Sequence, residues 1–405
     1  MNFTDFKFNA AIAAGISGAK YITPTPIQVK AIPAIMEGHD LIGLAQTGTG
    51  KTAAYILPLL DRLSKRKSRK TRALVLAPTR ELAEQIHHDI MMLGRKTQLR
   101  SLTLYGGAGL YPQIQALRKG VDIVVACPGR LLDHIRRGNT DFSSLEVLVL
   151  DEGDMMLDMG FIPDVRKILT HIPKDRQSLM FSATMRKEIR LLAGEMLCSP
   201  VGVEIGHVSP ADTVSHTHFP VSQNLKTPLL LKILKDSQMG PVLVFTRTKH
   251  RARRLSEVLH SAGYGATSLQ GNLSQKGRQA ALNGFRSGKY QILVATDIAS
   301  RGLDVAGISH VVNYDIPNSA EAYIHRIGRT GRAEKCGEAF NLVTHEDKTV
   351  IKSIDKIVGK LIERRTFTDF DYGVMKPQQT PKNIGKKQAR KPGFTGSRAR
   401  QRRSA

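Results

Sequence analysis

The sequence predicts an α/β protein with two successive parallel sheets, each flanked by helices, and a disordered basic C-terminal tail. Three observations carry this. Short β-branched or Leu-rich runs alternate with helix-length amphipathic segments, a rhythm that means parallel strands joined by crossover helices. The alternation breaks after about residue 205 in a polar, Pro-bearing stretch (His207, Ser209, Pro210, His216, His218) and then resumes. From Lys376 to Ala405, ten Lys/Arg and no acid are mixed with Pro, Gly, Gln and Ser, so almost nothing there can be buried.

In order along the chain, strands are expected at 41–45, 73–77, 101–104, 122–126, 146–150 and 178–181. After the break they are expected at 241–245, 265–268, 291–295, 309–313 and 338–343, with helices between. The domain limits that follow are 1–206, a hinge at 207–226, a second domain at 227–365 and a tail at 366–405. The hinge reads equally as a structured edge of either domain.

At 405 residues the chain suits two domains plus tails, and 41% hydrophobic content is normal for a globular protein. No apolar run approaches the roughly 18 residues of a membrane span. Asp5 precedes the small apolar residues Ala10 to Ala14, without a basic lead segment, which argues against a signal peptide. Cys127, Cys198 and Cys336 have no metal-ligand spacing, so reduced thiols and a cytoplasmic setting are expected. Lys+Arg number 60 against 35 Asp+Glu, a net +25 that favours polyanions, nucleic acid foremost. The tail reads as a phosphate tether or a solubilising segment. A second basic stretch, Lys65-Arg66-Lys67-Ser68-Arg69-Lys70-Thr71-Arg72, lies between a helix and a strand and reads as a phosphate contact or a solvated loop.

The chemistry is most legible in Ala45-Gln46-Thr47-Gly48-Thr49-Gly50-Lys51-Thr52, which follows the strand-like Leu41–Leu44 and leads into a helix. Glycines there let backbone N–H groups curl around phosphate oxygens at a helix N-terminus. Lys51 can reach the β/γ-phosphates, and the Thr52 hydroxyl can ligate Mg²⁺. Asp151-Glu152-Gly153-Asp154 follows Glu146–Leu150, placing a metal-holding carboxylate at a strand end with Glu152 beside it to orient and deprotonate water. Upstream, Gln28 follows a Pro-bearing turn, and its amide matches the donor and acceptor edge of adenine. Pro78-Thr79-Arg80-Glu81-Leu82, Gly106-Gly107 and Pro128-Gly129-Arg130 each follow a strand, where exposed N–H groups and an arginine can grip a sugar–phosphate backbone. Ser182-Ala183-Thr184 ends another strand, with hydroxyls suited to Asp154. In the second half, Ala295 to Asp304 and His325-Arg326-Ile327-Gly328-Arg329-Thr330-Gly331-Arg332 set arginines to meet a γ-phosphate across a cleft, worth roughly 10³–10⁵ in rate.

With these motifs in this order, the chain resembles a DEAD-box ATP-dependent RNA helicase of the short bacterial type, over about Phe3 to Val343. The resemblance implies two RecA-like domains that close around ATP–Mg²⁺ and single-stranded RNA. It implies Gln28 as adenine reader, supported by Tyr21 and Phe3, with Ala45 to Thr52 around the phosphates. Asp151 would hold the metal, Glu152 would be the base and Asp304 would touch the ribose. Asp154, Ser182 and Thr184 would link the site to His325, and Arg329 and Arg332 would be the fingers. RNA would lie on Pro78, Thr79, Arg80, Gly107, Pro128, Gly129, Arg130, Thr246, Arg247, Gln270, Gly271, Gln275, Arg278 and Thr296.

Four positions depart from the pattern. Gly153 replaces alanine, Lys20 stands where glycine precedes the aromatic, Cys127 replaces a threonine and Gln270 a histidine. Both acids flanking Gly153 survive, so hydrolysis is expected to persist. The leading expectation is ATP-dependent separation of short RNA duplexes or remodelling of ribosomal and other ribonucleoprotein complexes. An ATP-gated RNA clamp or annealing protein is the alternative, and a DNA translocase a third reading that the RNA-type motifs disfavour.

Overall fold

The computed structural model describes residues 1–46, 48–66, 68–205, 214–237, 239–300, 307–331, 337–359 and 362–373. In the first half the strands are β1 (Leu41–Leu44), β2 (Ala73–Leu76), β3 (Ser101–Leu104), β4 (Ile123–Ala126), β5 (Val147–Leu150), β6 (Gln177–Ser182) and β7 (Val201–Glu204). Their helices are α1 (Ala10–Gly18), α2 (Pro26–Met36), α3 (Lys51–Ser64), α4 (Arg80–Leu93), α5 (Leu110–Arg118), α6 (Pro128–Arg136), α7 (Gly153–Asp158), α8 (Ile162–Leu169) and α9 (Lys187–Met196). All seven strands run parallel in the order β3-β4-β2-β5-β6-β1-β7.

The second half repeats this plan. Its strands are β8 (Val214–Pro220), β9 (Val242–Phe245), β10 (Ala266–Leu269), β11 (Ile292–Ala295), β12 (His310–Asn313), β13 (Gly337–Val343) and β14 (Glu363–Arg364). Its helices are α10 (Lys226–Asp236), α11 (Lys249–Ser261), α12 (Gln275–Arg286), α13 (Asp297–Ser300), α14 (Ala320–Ile327) and α15 (Lys348–Val358). The strand order is β10-β11-β9-β12-β13-β8-β14, which is the first sheet's order with every number raised by seven. One topology has therefore been used twice.

Parallel sheets are covered on both faces, and their strands read as continuous apolar runs. Along β2 and β5 the period of two divides the residues cleanly between two cores. Ala73, Val75, Val147 and Val149 join the cluster beneath α2 to α4, while Leu74, Leu76, Leu148 and Leu150 join the cluster beneath α6, α8 and α9. The strand ends expected from sequence agree to within a residue or so. Three strands were not expected: the edge strands β7 and β14, and β8 beside β14. Sequence-exposed faces (Val201, Gly202 and Glu204 are exposed) and polar residues hide the strand pattern there. What β7 lacks in hydrophobicity is supplied by Asp40, whose carboxylate accepts the Ser178 and Cys198 N–H groups, each at 2.7 Å, and so ties β6 and the approach to β7 together.

β8 lies inside the stretch read as a hinge. Residues 214–220 form a fully paired strand of the second sheet, and 207–213 lie outside the described residues. The expected tail also starts later than 366. Phe367 stacks on Phe219 with ring centroids 5.8 Å apart, and Asp369 pairs with Lys232, so the chain is packed on the second lobe as far as Phe370. Most of the expected basic tail, 374–405, lies outside the described residues. Among those described, no helix is long and apolar enough to cross a membrane.

Candidate active site and nucleic-acid interface

The first lobe gathers its polar motifs at the carboxyl ends of its strands, where doubly wound sheets bind ligands. β1 runs straight into the glycine-rich loop. Gly48 and Gly50 have φ of 88° and 91°, a conformation that side chains avoid. A β-carbon on Gly50 would also sit 2.6 Å from Gln28 Nε2 and 2.8 Å from Thr25 Oγ1, so this glycine is required twice over. Lys51 opens α3, and its buried ammonium donates to the Ala45 carbonyl at 2.8 Å. The Thr49 hydroxyl donates to the Gln46 carbonyl at 2.7 Å.

Gln28 is the third residue of α2, and its Oε1 accepts the Thr25 N–H at 2.9 Å in a capping box. Its Nε2 donates to the Gly50 carbonyl at 3.1 Å. One amide therefore joins the upstream turn to the glycine loop. Tyr21 packs beside Phe3 with ring centroids 6.0 Å apart. A cavity of about 400 Å³ is bounded by Tyr21, Gln28, Gly48, Gly50, Lys51, Thr52, Asp151 and Glu152, which brings most of the expected nucleotide residues together. Leu82, Gln85 and Asp89 of α4 complete its wall.

Asp151 follows β5 and is buried. Burial, with Glu152 beside it, pushes its carboxyl up to about 6 despite the opposing pull of Lys51. Tyr55 donates to Asp151 Oδ2 at 2.8 Å, and the Glu152 N–H donates to Oδ1 at 2.9 Å. Glu152 itself takes a φ of 52°, the left-handed region uncommon for a non-glycine, so the backbone reverses sharply between the two acids. The Asp154 N–H donates to Ser182 Oγ at 3.1 Å, and Asp154 Oδ2 accepts the Thr184 N–H at 3.1 Å and its hydroxyl at 3.3 Å. Of the two expected hydroxyls only that of Thr184 reaches the Asp154 carboxylate; that of Ser182 donates to the Thr184 carbonyl at 2.8 Å. His325 is not hydrogen-bonded to Asp154; its carbonyl receives Arg329 Nε at 3.3 Å.

The second cavity, about 590 Å³, lies between the lobes. Pro78, Thr79, Arg80, Gly129 and Arg130 line it from the first lobe, and Arg247, Gly271, Arg278 and Thr296 from the second. Arg278 Nε donates to Glu81 Oε1 at 2.7 Å with both side chains largely buried, and Arg80 donates to Gln275 Oε1 at 3.4 Å. Gly107 is set close to this cluster, since a β-carbon on it would lie 2.2 Å from Arg80 Nη1. Several expected contact residues spend their side chains on the fold instead. Thr79 Oγ1 caps α4 by accepting the Leu82 N–H at 3.2 Å. Thr246 is fully buried and donates to the Thr248 carbonyl at 3.3 Å, and Gln270 Oε1 accepts the Asn272 N–H at 2.7 Å. Pro128 is buried at the first turn of α6. Cys127 precedes it, and burial together with Glu81 pushes its thiol up to about 12, so it is no nucleophile at neutral pH. Thr47, Asp304 and Arg332 lie outside the described residues.

Sequence reasoning missed the residues that hold these groups in place. Gln113 Oε1 accepts from Arg130 at 3.2 Å and from His134 Nε2 at 2.9 Å, while its amide donates to the Tyr105 carbonyl at 3.2 Å. Asp315 accepts the Arg247 N–H at 2.9 Å and the Arg251 guanidinium at 2.6 Å. Arg326 makes a two-pronged contact to Asp297 at 2.5 and 2.8 Å and fixes α14, which carries His325. No motif spacing marks Gln113, Tyr55 or Asp315, because each meets its partner across the fold.

Comparison with known proteins agrees with this geometry. Residues 25–192 match the DEAD/DEAH box helicase family and residues 225–334 the helicase conserved C-terminal domain. The DEAD-box ATP-dependent RNA helicase CshA of Bacillus subtilis (strain 168) is 38% identical over 94% of this chain and 77% of its own length. The helicase RhpA of Helicobacter pylori (strain B128) is 39% identical over 89% and 73%. Among solved structures, S. cerevisiae Dbp5 bound to RNA and ADP BeF3 is 28% identical, covers 90% of this chain and 95% of its own, and has a TM-score of 0.78. A DEAD box protein of the hyperthermophile Methanococcus jannaschii is 36% identical over 90% and 99%, with a TM-score of 0.54. The chain belongs to the family of DEAD-box ATP-dependent RNA helicases.

Proposed function

We propose that this chain is an RNA-stimulated ATPase that locally separates short RNA duplexes and remodels RNA–protein complexes, ribosomal ones among them. One observation carries the reading. The helix α4 borders both cavities: Thr79, Arg80 and Glu81 at its start line the interlobe cleft, and Leu82, Gln85 and Asp89 line the nucleotide cavity. A rigid element shared by two sites lets occupancy of one bias the other.

In this reading Gln28 selects adenine and simultaneously senses the glycine loop through Gly50. Lys51 and the loop N–H groups hold the β/γ-phosphates. Thr52 and Asp151 would hold Mg²⁺: both border the nucleotide cavity, and the buried Asp151 carboxylate gains from a cation beside it. The metal, when bound, neutralises phosphate charge. Glu152 orients and deprotonates the attacking water, and the second lobe's arginine motif, Arg329 and Arg332, supplies charge to the γ-phosphate. Asp154 with Ser182 and Thr184 keeps the catalytic loop registered to β6. Arg80, Gly107, Arg130, Arg247, Gln275, Arg278 and Thr296 contact the RNA backbone, with specificity from 2′-OH and phosphate rather than base edges.

The test is steady-state ATP hydrolysis with and without single-stranded RNA, beside Lys51→Ala and Glu152→Gln. Turnover raised by RNA, abolished by Lys51→Ala and reduced at least about a hundredfold by Glu152→Gln, is expected. Turnover indifferent to RNA would overturn the proposal.

A further inference from the structure

A third cavity, about 770 Å³, opens on the first lobe at the end of the sheet opposite the nucleotide site. It is lined where Arg100 leads into β3 and Asp122 into β4, and by the loop from α3 to β2. Five cations border it: Lys65, Arg66, Arg69, Lys96 and Arg100. The one acid in its wall, Asp122, is committed inward, accepting Arg72 Nη2 at 2.8 Å and the Arg100 N–H at 3.0 Å. Behind it, Asn9 Nδ2 and N–H both donate to Asp61, which fixes the start of α1 against α3. The acid of the floor is thus neutralised within the fold rather than by the rim side chains.

Two of the five cations are internally balanced, Lys65 by Asp61 at 3.2 Å and Arg66 by Glu146 at 2.8 Å. Arg69 and Lys96 are exposed and make no ion pair among the described residues, and the Arg100 guanidinium donates only to the Lys119 carbonyl at 3.1 Å. Three uncompensated cations around a concave surface focus a positive potential. The wall offers no aromatic ring on which a base could stack, and its polar rim is cationic. Phosphate fits such a wall. The position is also reachable: α4 starts at the interlobe cleft with Arg80 and ends at Leu93, three residues before Lys96. Its length of about 21 Å is spanned by roughly six stacked nucleotides.

We propose that this basic cleft is a second, sequence-independent phosphate site that holds the single-stranded flank of an RNA engaged between the lobes. The inference rests on RNA being the partner, as proposed above. It gives Arg69, in the basic stretch after α3, a role with Lys96 and Arg100 as a tether that lengthens the footprint without reading bases.

The test uses the full chain with Arg69→Glu/Lys96→Glu, two exposed positions outside the proposed catalytic and RNA-cleft groups. Binding of RNAs of roughly six and roughly 25 nucleotides is measured against salt, beside Lys352→Glu/Lys356→Glu, which carries the same charge change on exposed sites of the second lobe. The expected result is about tenfold weaker binding of the longer RNA at low salt and a log–log salt slope shallower by about 1.4, with the short RNA unchanged. Equal losses in both double variants, equal losses for both RNAs, or no loss at all would overturn the site. Displacement of the long RNA by an acidic polypeptide that itself binds more tightly, and loses that binding in the variant, would overturn the RNA assignment. Binding is read without nucleotide, so absence of RNA-stimulated turnover in the unaltered chain would sink the proposed function while leaving this comparison decisive.

Discussion

A β-carbon built on Gly153 meets Leu150 Cδ2 at 3.5 Å and Ser182 Oγ at 3.8 Å, which is ordinary contact, and the residue has no positive φ. The departure from alanine therefore removes nothing but a methyl group at the start of α7. Gly153→Ala is expected to retain RNA-stimulated turnover and to stabilise the first lobe by about 0.5–1 kcal/mol, by restricting the unfolded chain and favouring helix; chemical denaturation checks this, and a loss of stability would refute it. Lys20 is the opposite case. It follows α1 with φ of 57°, its N–H reaching the Ser17 carbonyl at 3.0 Å and the Tyr21 N–H reaching Ile16 at 3.2 Å, a Schellman ending that favours glycine. Lys20→Gly should range from neutral to about 1 kcal/mol more stable, read in the same experiment, since relief of left-handed strain is offset by backbone entropy.

At the scale of elements, α6 delivers Arg130 to the cleft, and His134 one turn later anchors it through Gln113. His134 is fully buried, and burial with nearby Arg130 holds its pKa below 6.5, so it is neutral in the folded state. Because Gln113 donates through its amide to Tyr105, its Oε1 must accept, which assigns the proton of His134 to Nε2. A depressed histidine stabilises the fold fully above the unfolded value of 6.5 and loses that contribution as pH falls through the lower folded value. His134→Gln removes this titration. The wild-type advantage in Tm over the variant is expected to be constant above about pH 7 and to shrink as pH falls below 6.5; an advantage independent of pH would contradict the assignment.

Across the whole molecule, one strand order occurs twice, yet only the first copy carries a glycine-rich loop, so the second lobe's contribution must come through what it presents to the first. Glu81 and Arg278 make that contact with little solvent access. Arg278→Met strands a buried carboxylate, and the penalty falls on lobe closure rather than on either lobe's core. In the presence of RNA and a nonhydrolysable ATP analogue, the variant is expected to show a larger radius of gyration by small-angle scattering. RNA-stimulated turnover should fall at least about tenfold, with each lobe's unfolding unchanged. A wild-type radius in the variant would show that closure does not depend on this pair.

The motifs legible in sequence are those whose partners lie within a few residues, along one strand end and the helix that follows. Leu41 to Thr52 and Glu146 to Asp154 declare strand, turn and chemistry together, because apolar runs, glycines and acids are read at fixed local spacing. The central strands were legible for the same reason, being buried on both faces. Edge strands such as β7 were not, because their exposed residues answer to one neighbour and to solvent. Only the tertiary structure decided which distant residues meet. Tyr55 reaches Asp151 across 96 residues, Arg278 reaches Glu81 across 197, and Asp122 draws Arg72 and Arg100 into one wall. Such contacts leave no period in the chain. They arise where crossover connections bring separate strand ends together or where the two lobes meet, and burial there makes each unpaired polar group costly and so selects its partner.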